Sequence, residues 1–149
     1  MDTQAQVNLA LALQERMVDL IRTFGLHQPD RTPCGRPVSV AEVHALMELG
    51  RREGLSQHEL GAWLRLEKST VSRLVSGLEA SGWVERSRDA SDGRFVRLAL
   101  SEEGRRMATQ IAEARHDKFE RLLDAIPPSE RDRVLGALDT LLEALHAST

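Results

Sequence analysis

The apolar positions between residues 56 and 80 recur at helical spacing in two separate runs. The first run is Leu60, Trp63 and Leu64, and the second is Val71, Leu74, Val75 and Leu78. Ser56 and Glu59 have the spacing of a capping box, so we expect the first helix to begin at Ser56 and to end near Leu64. The period breaks over residues 65–67 before the second run begins. The pattern therefore predicts two short helices joined by a turn, each with a buried apolar face.

A strand pattern follows the second helix. Ser81-Gly82 ends that helix, because glycine favours the left-handed backbone found just after a helix C-terminus. Trp83-Val84 then begins an extended, half-buried segment, and a second apolar segment returns along it. The returning positions are Phe95, Val96, Leu98 and Leu100. The polar residues 85–94 lie between the two strands, with Asp92-Gly93 expected at the hairpin apex and Arg94 projecting beside it.

Long amphipathic helices flank this central region. The pattern predicts helices over residues 4–24, from Ser39 onwards, over Ser101 to Ala125, and over Ser129 to Ala147. Pro127-Pro128 separates the last two, and Ser129 is expected to cap the final helix. The C-terminal third is strongly apolar on one side, at Leu122, Leu123, Ile126, Val134, Leu135, Leu138, Leu141, Leu142 and Leu145. Packing within one chain would leave much of this surface exposed, so a partner surface is expected.

The solvent-facing side of the second central helix suggests what the region contacts. Its residues are Lys68, Ser69, Thr70, Ser72, Arg73 and Ser76. Short hydroxyl side chains allow close approach to another surface, and Arg73 can donate to two acceptors on guanine. An ordinary solvated helix face is the alternative interpretation. The three arginines of the hairpin, Arg86, Arg88 and Arg94, favour DNA because a projecting guanidinium suits a narrow groove of negative potential.

Three stretches carry a resemblance to a known family. Ser69–Arg86 reads STVSRLVSGLEASGWVER, Asp92–Arg94 reads as a D-x-R wing motif, and Leu98–Arg105 reads LALSEEGR. In this order they resemble the winged helix-turn-helix of the MarR family, the multiple-antibiotic-resistance type of bacterial transcription regulator. Glu67 departs from the Asp that the family often has before this helix. Because Glu is a poorer N-cap, we expect that boundary to fray or to be capped differently.

The resemblance implies a fold that is mainly α with a small β-wing, a winged helix-turn-helix with flanking dimerisation helices. Residues 36–100 would form the DNA-binding domain, and residues 1–30 and 101–149 the helical dimerisation region. A minor strand near Leu55 also fits the pattern. A homodimer would place two reading helices roughly 34 Å apart on a pseudo-palindromic double-stranded operator. The implied function is a sequence-specific, ligand-responsive repressor whose DNA-binding residues include Asp92 together with the polar helix face and the wing arginines.

Charge and composition agree with this interpretation. The whole chain of 149 residues carries a net charge of −3, whereas residues 51–97 hold nine Lys or Arg against seven Asp or Glu. The positive charge is therefore concentrated in the proposed reading region. No apolar run approaches a membrane span, the start lacks signal-peptide character, and the single Cys34 gives no internal disulfide, so a cytoplasmic protein is expected. No catalytic motif such as G-x-S-x-G or H-E-x-x-H occurs, so no enzyme activity is expected.

The signal to which such a regulator responds has several candidates. No cofactor is expected to be required, and the family's commonest inducers are small aromatic anions, for which Arg16, Phe24, His44 and Met47 could form a pocket. Zinc is the alternative, with Cys34, His44 and His116 as ligands, since zinc-sensing members of the family place a histidine on the helix that holds His44. His27 is a further candidate. No close-spaced pair of ligands is present.

A redox role and a protein-contact role are also consistent with the sequence. Arg31 and Arg36 could favour a reactive thiolate at Cys34 and make the protein a redox sensor. However, peroxide-sensing members of the family place the cysteine in the first helix near tyrosines, and this chain has no tyrosine. The fold could instead serve protein contacts alone. In that case apolar residues would be expected on the wing in place of arginines.

Overall fold

The computed structural model describes residues 2–28, 32 and 37–149. The described helices are α1 (Thr3–Phe24), α2 (Val40–Arg51), α3 (Gln57–Leu64), α4 (Lys68–Ala80), α5 (Glu102–Ala125) and α6 (Arg131–Ser148). The strands are β1 (Val84–Arg88) and β2 (Val96–Leu100), and a single 3₁₀ turn covers Pro128–Glu130. The order of elements and the mainly α character with a small sheet are as predicted. The chain divides into two compact units, Met1–Ala112 and Glu113–Thr149.

Local signals set the helix boundaries in the first unit. Ser56 and Glu59 form the predicted capping box, with the Glu59 amide donating to Ser56 Oγ at 3.1 Å and the Ser56 amide donating to Glu59 Oε1 at 3.2 Å. Ser39 caps α2 in the same way. At the end of α4, Gly82 has a φ of 78°, and the Trp83 amide donates to the Leu78 carbonyl. These short-range bonds place the starts of α2 and α3 and the end of α4 where the sequence predicts them.

The two strands form an antiparallel hairpin. Val84 pairs with Leu100 at its base, and Arg88 pairs with Val96 at the end nearest the loop. Leu55 adds a single bridge to Leu98, which confirms the minor strand expected there. In this register Leu98 and Leu100 face the core. The loop at residues 89–95 is thereby directed away from the core as a wing.

One hydrophobic core holds the first unit together. α2, α3, α4, both strands and Ile111 of α5 contribute to it, and Leu46, Leu60, Val75, Leu78, Leu98 and Ile111 are fully buried. The predicted stripe of α4 is confirmed, with Val71, Val75 and Leu78 buried and Leu74 half-buried. Because Ile111 belongs to this core, the N-terminal part of α5 is fixed to the same unit as the wing.

Three local predictions were wrong. Trp63 was expected in the core but is 53% exposed, because Leu60 and Gly61 define the buried side of α3 and Trp63 lies on its flank under the Arg52 guanidinium.

Phe95 was expected in the returning strand but lies in the loop and is exposed. Ser129 was expected to cap the last helix, yet it lies inside the 3₁₀ turn that precedes α6. In that turn the Glu130 amide donates to the Pro127 carbonyl, so α6 starts later.

Both α6 and α1 present apolar side chains to solvent along their length. α6, within the second unit, has no buried residue, and Val134, Leu135, Leu138, Leu142 and Leu145 are all exposed. α1, within the first unit, likewise has no buried residue although Val7, Leu9, Leu11, Leu13, Val18, Leu20 and Ile21 recur along it. No helix among the described residues has the long apolar stretch needed to cross a membrane.

Candidate nucleic-acid interface

α4 separates a buried face from a polar one. Val71, Val75 and Leu78 point into the core, so the opposite side of the helix faces solvent. The structure places five of the six predicted contact residues there as exposed side chains, Lys68, Ser69, Ser72, Arg73 and Ser76, while Thr70 is half-buried. Neither Lys68 nor Arg73 forms an ion pair or a side-chain hydrogen bond with another described residue. Both cations are therefore available to an outside partner.

The start of α4 lacks a side-chain cap. Glu67 occupies the N-cap position without a capping hydrogen bond, as the sequence predicts. The unbonded amides of the first turn carry partial positive charge, which favours an anion near this end. α3 approaches α4 closely here, since a Cβ at Gly61 would lie 3.0 Å from Val71 Cγ2. Glycine at this position keeps the two helices at their present separation.

The wing tip is built around one arginine and one aspartate. Arg94 Nε lies 3.1 Å from Asp92 Oδ1, and Arg94 Nη2 lies 2.9 Å from Asp92 Oδ2. The Arg94 side chain and then the Arg94 amide lower the pKa of Asp92, and the Asp92 carboxylate raises the pKa of Arg94. The Arg94 side chain is nevertheless 88% exposed. Asp92 therefore orients a charged guanidinium that remains accessible at the end of the wing.

The other two predicted wing arginines have internal partners. Arg86 Nε donates to Glu79 Oε1 of α4, and Arg88 Nη1 donates to the Gly93 carbonyl at 2.8 Å. Arg86 thus joins the wing to α4, while Arg88 closes the base of the wing loop. Both bonds position the wing, a role that the sequence did not predict for these residues. They do not prevent a further contact from the remaining N–H groups.

Arg97 is a structural centre that sequence reasoning missed. It donates to Asp89 Oδ2 from Nε at 3.2 Å and from Nη2 at 2.9 Å. Its Nη1 also donates to the Gly54 carbonyl at 3.1 Å and to Glu59 Oε1 at 3.3 Å. One guanidinium therefore fastens the wing loop to the start of α3. No sequence signal could have identified these partners, because they lie far apart along the chain.

Asp89 is held ionised by its surroundings. The Ser91 amide, the Ser91 hydroxyl and then Arg97 donate to its carboxylate and lower the pKa of Asp89 to about 2. Because its pKa is lowered, the Asp89 carboxylate contributes fully to folding stability at any pH above its ordinary pKa. This contribution is lost only as the pH falls towards about 2. The attachment of the wing is therefore insensitive to pH near neutrality.

Comparison with known proteins supports the predicted resemblance. A family model described as MarR family matches residues 37–94, which include α2, α3, α4 and β1. The HTH-type transcriptional regulator TtmR of Methylorubrum extorquens is 34% identical over 102 residues, covering 68% of this chain and 51% of TtmR. The predicted resemblance to the MarR family is confirmed over residues 37–94, and the matching relatives are named as HTH-type transcriptional regulators.

Solved structures show the same winged-helix fold. Streptococcus pneumoniae FabT in complex with DNA matches with a TM-score of 0.70 at 22% identity, covering 98% of this chain and 99% of FabT. PcaV of Streptomyces coelicolor in complex with its natural ligand matches with a TM-score of 0.62 at 23% identity, covering 92% of this chain and 91% of PcaV. In this fold, α4 is the second helix of the helix-turn-helix and residues 89–95 are the wing loop.

The predicted inducer-binding residues lie on two of the described helices. Arg16 lies on α1, where its Nη1 donates to the Ala12 carbonyl, and the half-buried Phe24 is the last residue of that helix. His44 and Met47 lie on α2, with His44 exposed and Met47 packed against the core. The inducer pocket stays a prediction.

The zinc hypothesis also stays a prediction. Cys34 lies outside the described residues, and so do Arg31 and Arg36, which were expected to influence its thiol. His116 Nε2 lies 3.2 Å from Glu120 Oε1 on α5. Within the described ranges there is no group of three or more His, Cys, Asp or Glu side chains that could hold a metal ion.

Proposed function

We propose that this protein is a homodimeric repressor that binds a pseudo-palindromic double-stranded operator, with α4 in the major groove and the wing in the adjacent minor groove. The observation that carries the proposal is the exposed face of α4, on which Arg73 and Lys68 lie among short hydroxyl side chains without internal partners. Hydroxyls and guanidinium groups at this density suit base edges and phosphates. Operator occupancy would block transcription by steric exclusion.

The wing arrangement supports the same proposal. The Arg94 guanidinium is fixed by Asp92 and yet almost fully exposed, so little side-chain entropy remains to be lost when it enters a narrow groove. Arg86 and Arg97 hold the wing against α4 and α3, and Arg88 closes the wing loop on itself. A fixed distance between α4 and the wing tip would let one protomer contact a major groove and the neighbouring minor groove together.

Replacing Arg73 by Ala tests the reading role of α4. If Arg73 donates to two guanine acceptors, the variant should lose about 1 to 3 kcal/mol of operator binding and its preference at one base pair. The measurement is fluorescence anisotropy on the operator, first selected from fragments of the source genome, and on a random duplex. Arg121→Gln is the control, since it removes one exposed charge from α5, outside the proposed interface. Equal losses on both duplexes would identify Arg73 as a phosphate contact instead.

Replacing Arg94 by Ala tests the wing. Binding to operator should weaken by about tenfold, because one charge-assisted contact is lost, while the oligomeric state is retained. Asp92→Asn should give a smaller loss, since it leaves the guanidinium but removes its carboxylate partner. Affinities of the three proteins are compared at moderate salt. Affinity in Arg94→Ala equal to that of the unchanged protein would contradict the groove contact.

A protein-contact role is the second candidate, and one observation favours it. Phe95 is 53% exposed on the wing, where a protein-binding version of the fold should present apolar residues. It is a single apolar side chain beside an exposed, charged Arg94, so DNA remains the better match. Purified protein that shows no salt-sensitive retention of any duplex would favour the protein-contact role.

We further propose that a small aromatic anion relieves repression; PcaV, whose fold is similar, has been solved in complex with its natural ligand. Such a ligand acts only if it binds one conformation of the dimer, with one spacing of the two α4 helices, better than another. A tenfold decrease in operator affinity requires a difference of about 1.4 kcal/mol between the two ligand-binding free energies. Binding to chromosomal DNA implies a cytoplasmic location. It requires no catalytic step and no resident cofactor, so we propose no enzyme activity.

A further inference from the structure

Arg65 has an unusual backbone conformation at the turn between α3 and α4. Its φ of 55° and ψ of 44° lie in the left-handed region, and among the described residues no other residue except glycine has a positive φ. A Cβ atom makes this conformation unfavourable, whereas glycine adopts it freely and asparagine tolerates it. The turn itself needs only the backbone bonds from the Arg65 amide to Ala62 and from the Leu66 amide to Gly61. An arginine is therefore not required for the fold.

The side chain of Arg65 has no internal function in the described structure. It forms no ion pair and no side-chain hydrogen bond with another described residue, and the same is true of the nearby Lys68. The wing arginines and Arg97, by contrast, are all bonded to carboxylates or carbonyls within the chain. An unfavourable backbone that carries an unpaired cation points to an external partner.

The surroundings of Arg65 indicate which partner. Arg65 lines a cavity of about 530 Å³ together with Gln57, His58 and Lys68, which we call the turn groove. Gln57 and Lys68 also line an adjoining depression with Ser69 and Ser72 of α4. The turn groove is therefore continuous with the exposed face of α4 that we assign to the major groove. The backbone of one DNA strand follows the edge of that groove.

We propose that Arg65, flanked by Lys68, binds a phosphate of the DNA backbone in the turn groove and so fixes the depth at which α4 enters the major groove. This inference rests on the proposed function. A phosphate contact contributes equally on all sequences, and its loss reduces the dependence of binding on salt. Arg65 would therefore determine affinity and register, whereas Arg73 would determine sequence preference.

Arg65→Asn tests the proposal, because asparagine accepts the left-handed backbone but carries no charge. Binding to operator and to a random duplex is measured from low to moderate salt. We expect the slope of log K against log salt to fall by about 0.9 for each protomer, with a similar loss of about tenfold on both duplexes at low salt. Arg65→Lys should retain most of the slope, and Arg121→Gln, which removes one exposed charge from α5, should retain all of it.

The folded state provides an independent readout. Arg65→Gly and Arg65→Asn should melt at the same temperature as the unchanged protein or higher, since both relieve the strained backbone. An operator with one phosphate at a time replaced by a neutral methylphosphonate locates the contact. At one or more positions, the methylphosphonate should weaken operator binding by the unchanged protein but leave binding by Arg65→Asn unaffected.

Two outcomes would overturn the inference. One is an unchanged salt slope in Arg65→Asn, whether or not its melting temperature falls. The other is a methylphosphonate scan that is identical for the variant and the unchanged protein. If Arg73→Ala still alters operator preference in the same assays, the proposed function stands and only the role of Arg65 is lost. Absence of salt-sensitive DNA binding by the unchanged protein would instead remove the proposed function itself.

Discussion

Replacing Gly104 by Ala is expected to destabilise the first compact unit by about 3 kcal/mol, at the upper end of the range for inserting a group into a closely packed site. A Cβ at Gly104 would lie 2.0 Å from the Trp83 carbonyl oxygen and 2.9 Å from the Trp83 carbonyl carbon. Both atoms belong to the backbone, so no side-chain rotation can relieve the overlap. The first turn of α5 would have to move away from the base of the wing.

Such a movement is opposed by hydrogen bonds at the same junction. The Ser101 hydroxyl donates to the Gly82 carbonyl and accepts from the Gly104 amide, and the Ser101 amide donates to the Trp83 carbonyl at 3.0 Å. Displacing α5 would break these bonds and leave buried polar groups without partners. It would also withdraw Ile111 from the core. The substitution is therefore expected to affect the connection between the wing and α5 directly.

Gly77→Ala is the matched control for this prediction. Gly77 lies inside α4 in the same unit, and a Cβ there meets nothing within 4 Å. The variant should be stabilised by about 0.5 to 1 kcal/mol, because alanine favours the helix. Denaturant unfolding monitored by circular dichroism gives the free energies of unfolding of Gly104→Ala and Gly77→Ala. Equal stabilities of Gly104→Ala and the unchanged protein would show that α5 does not approach the wing this closely.

The parts of the fold that were predicted correctly depend on neighbours in sequence. The capping box of Ser56 and Glu59, the buried stripe of α4 and the left-handed Gly82 each involve residues within one or two helical turns. Such signals are readable because the physical cause lies within the segment itself. The exposed face of α4 follows from the same periodicity, which is why its candidate DNA contacts could be named from the sequence.

The parts that were missed depend on tertiary contacts. Arg97 binds Asp89, Gly54 and Glu59, and no periodicity relates these positions. Trp63 is an apolar residue at helical spacing, but the core packs against a different side of α3. Its ring is therefore exposed beneath the Arg52 guanidinium. Arg65 occupies a left-handed position where sequence rules favour glycine. Charge counting alone also could not separate the arginines with internal partners from those available to DNA.

Replacing Leu138 and Leu142 together by Glu is expected to give a monomer that binds the full operator at least about 100-fold less tightly. Both residues belong to the exposed apolar face of α6, and an exposed apolar face of this kind indicates contact with another protein surface. Four negative charges across a symmetric interface would oppose association. In the proposed homodimer, binding of one protomer brings the other to the second half-site at high effective concentration, and a monomer would lose this advantage.

Thr140→Glu with Ala147→Glu is the control, since it adds the same two charges to the opposite side of α6. Sedimentation gives the oligomeric state, and anisotropy gives affinities for the full operator and for a single half-site. The Leu138 and Leu142 variant should bind the half-site as tightly as each protomer of the unchanged protein, because its α4 and wing are intact. A variant that stays dimeric would exclude this face of α6 from the interface. A monomer with undiminished affinity for the full operator would show that the DNA-binding regions of the two protomers do not bind cooperatively.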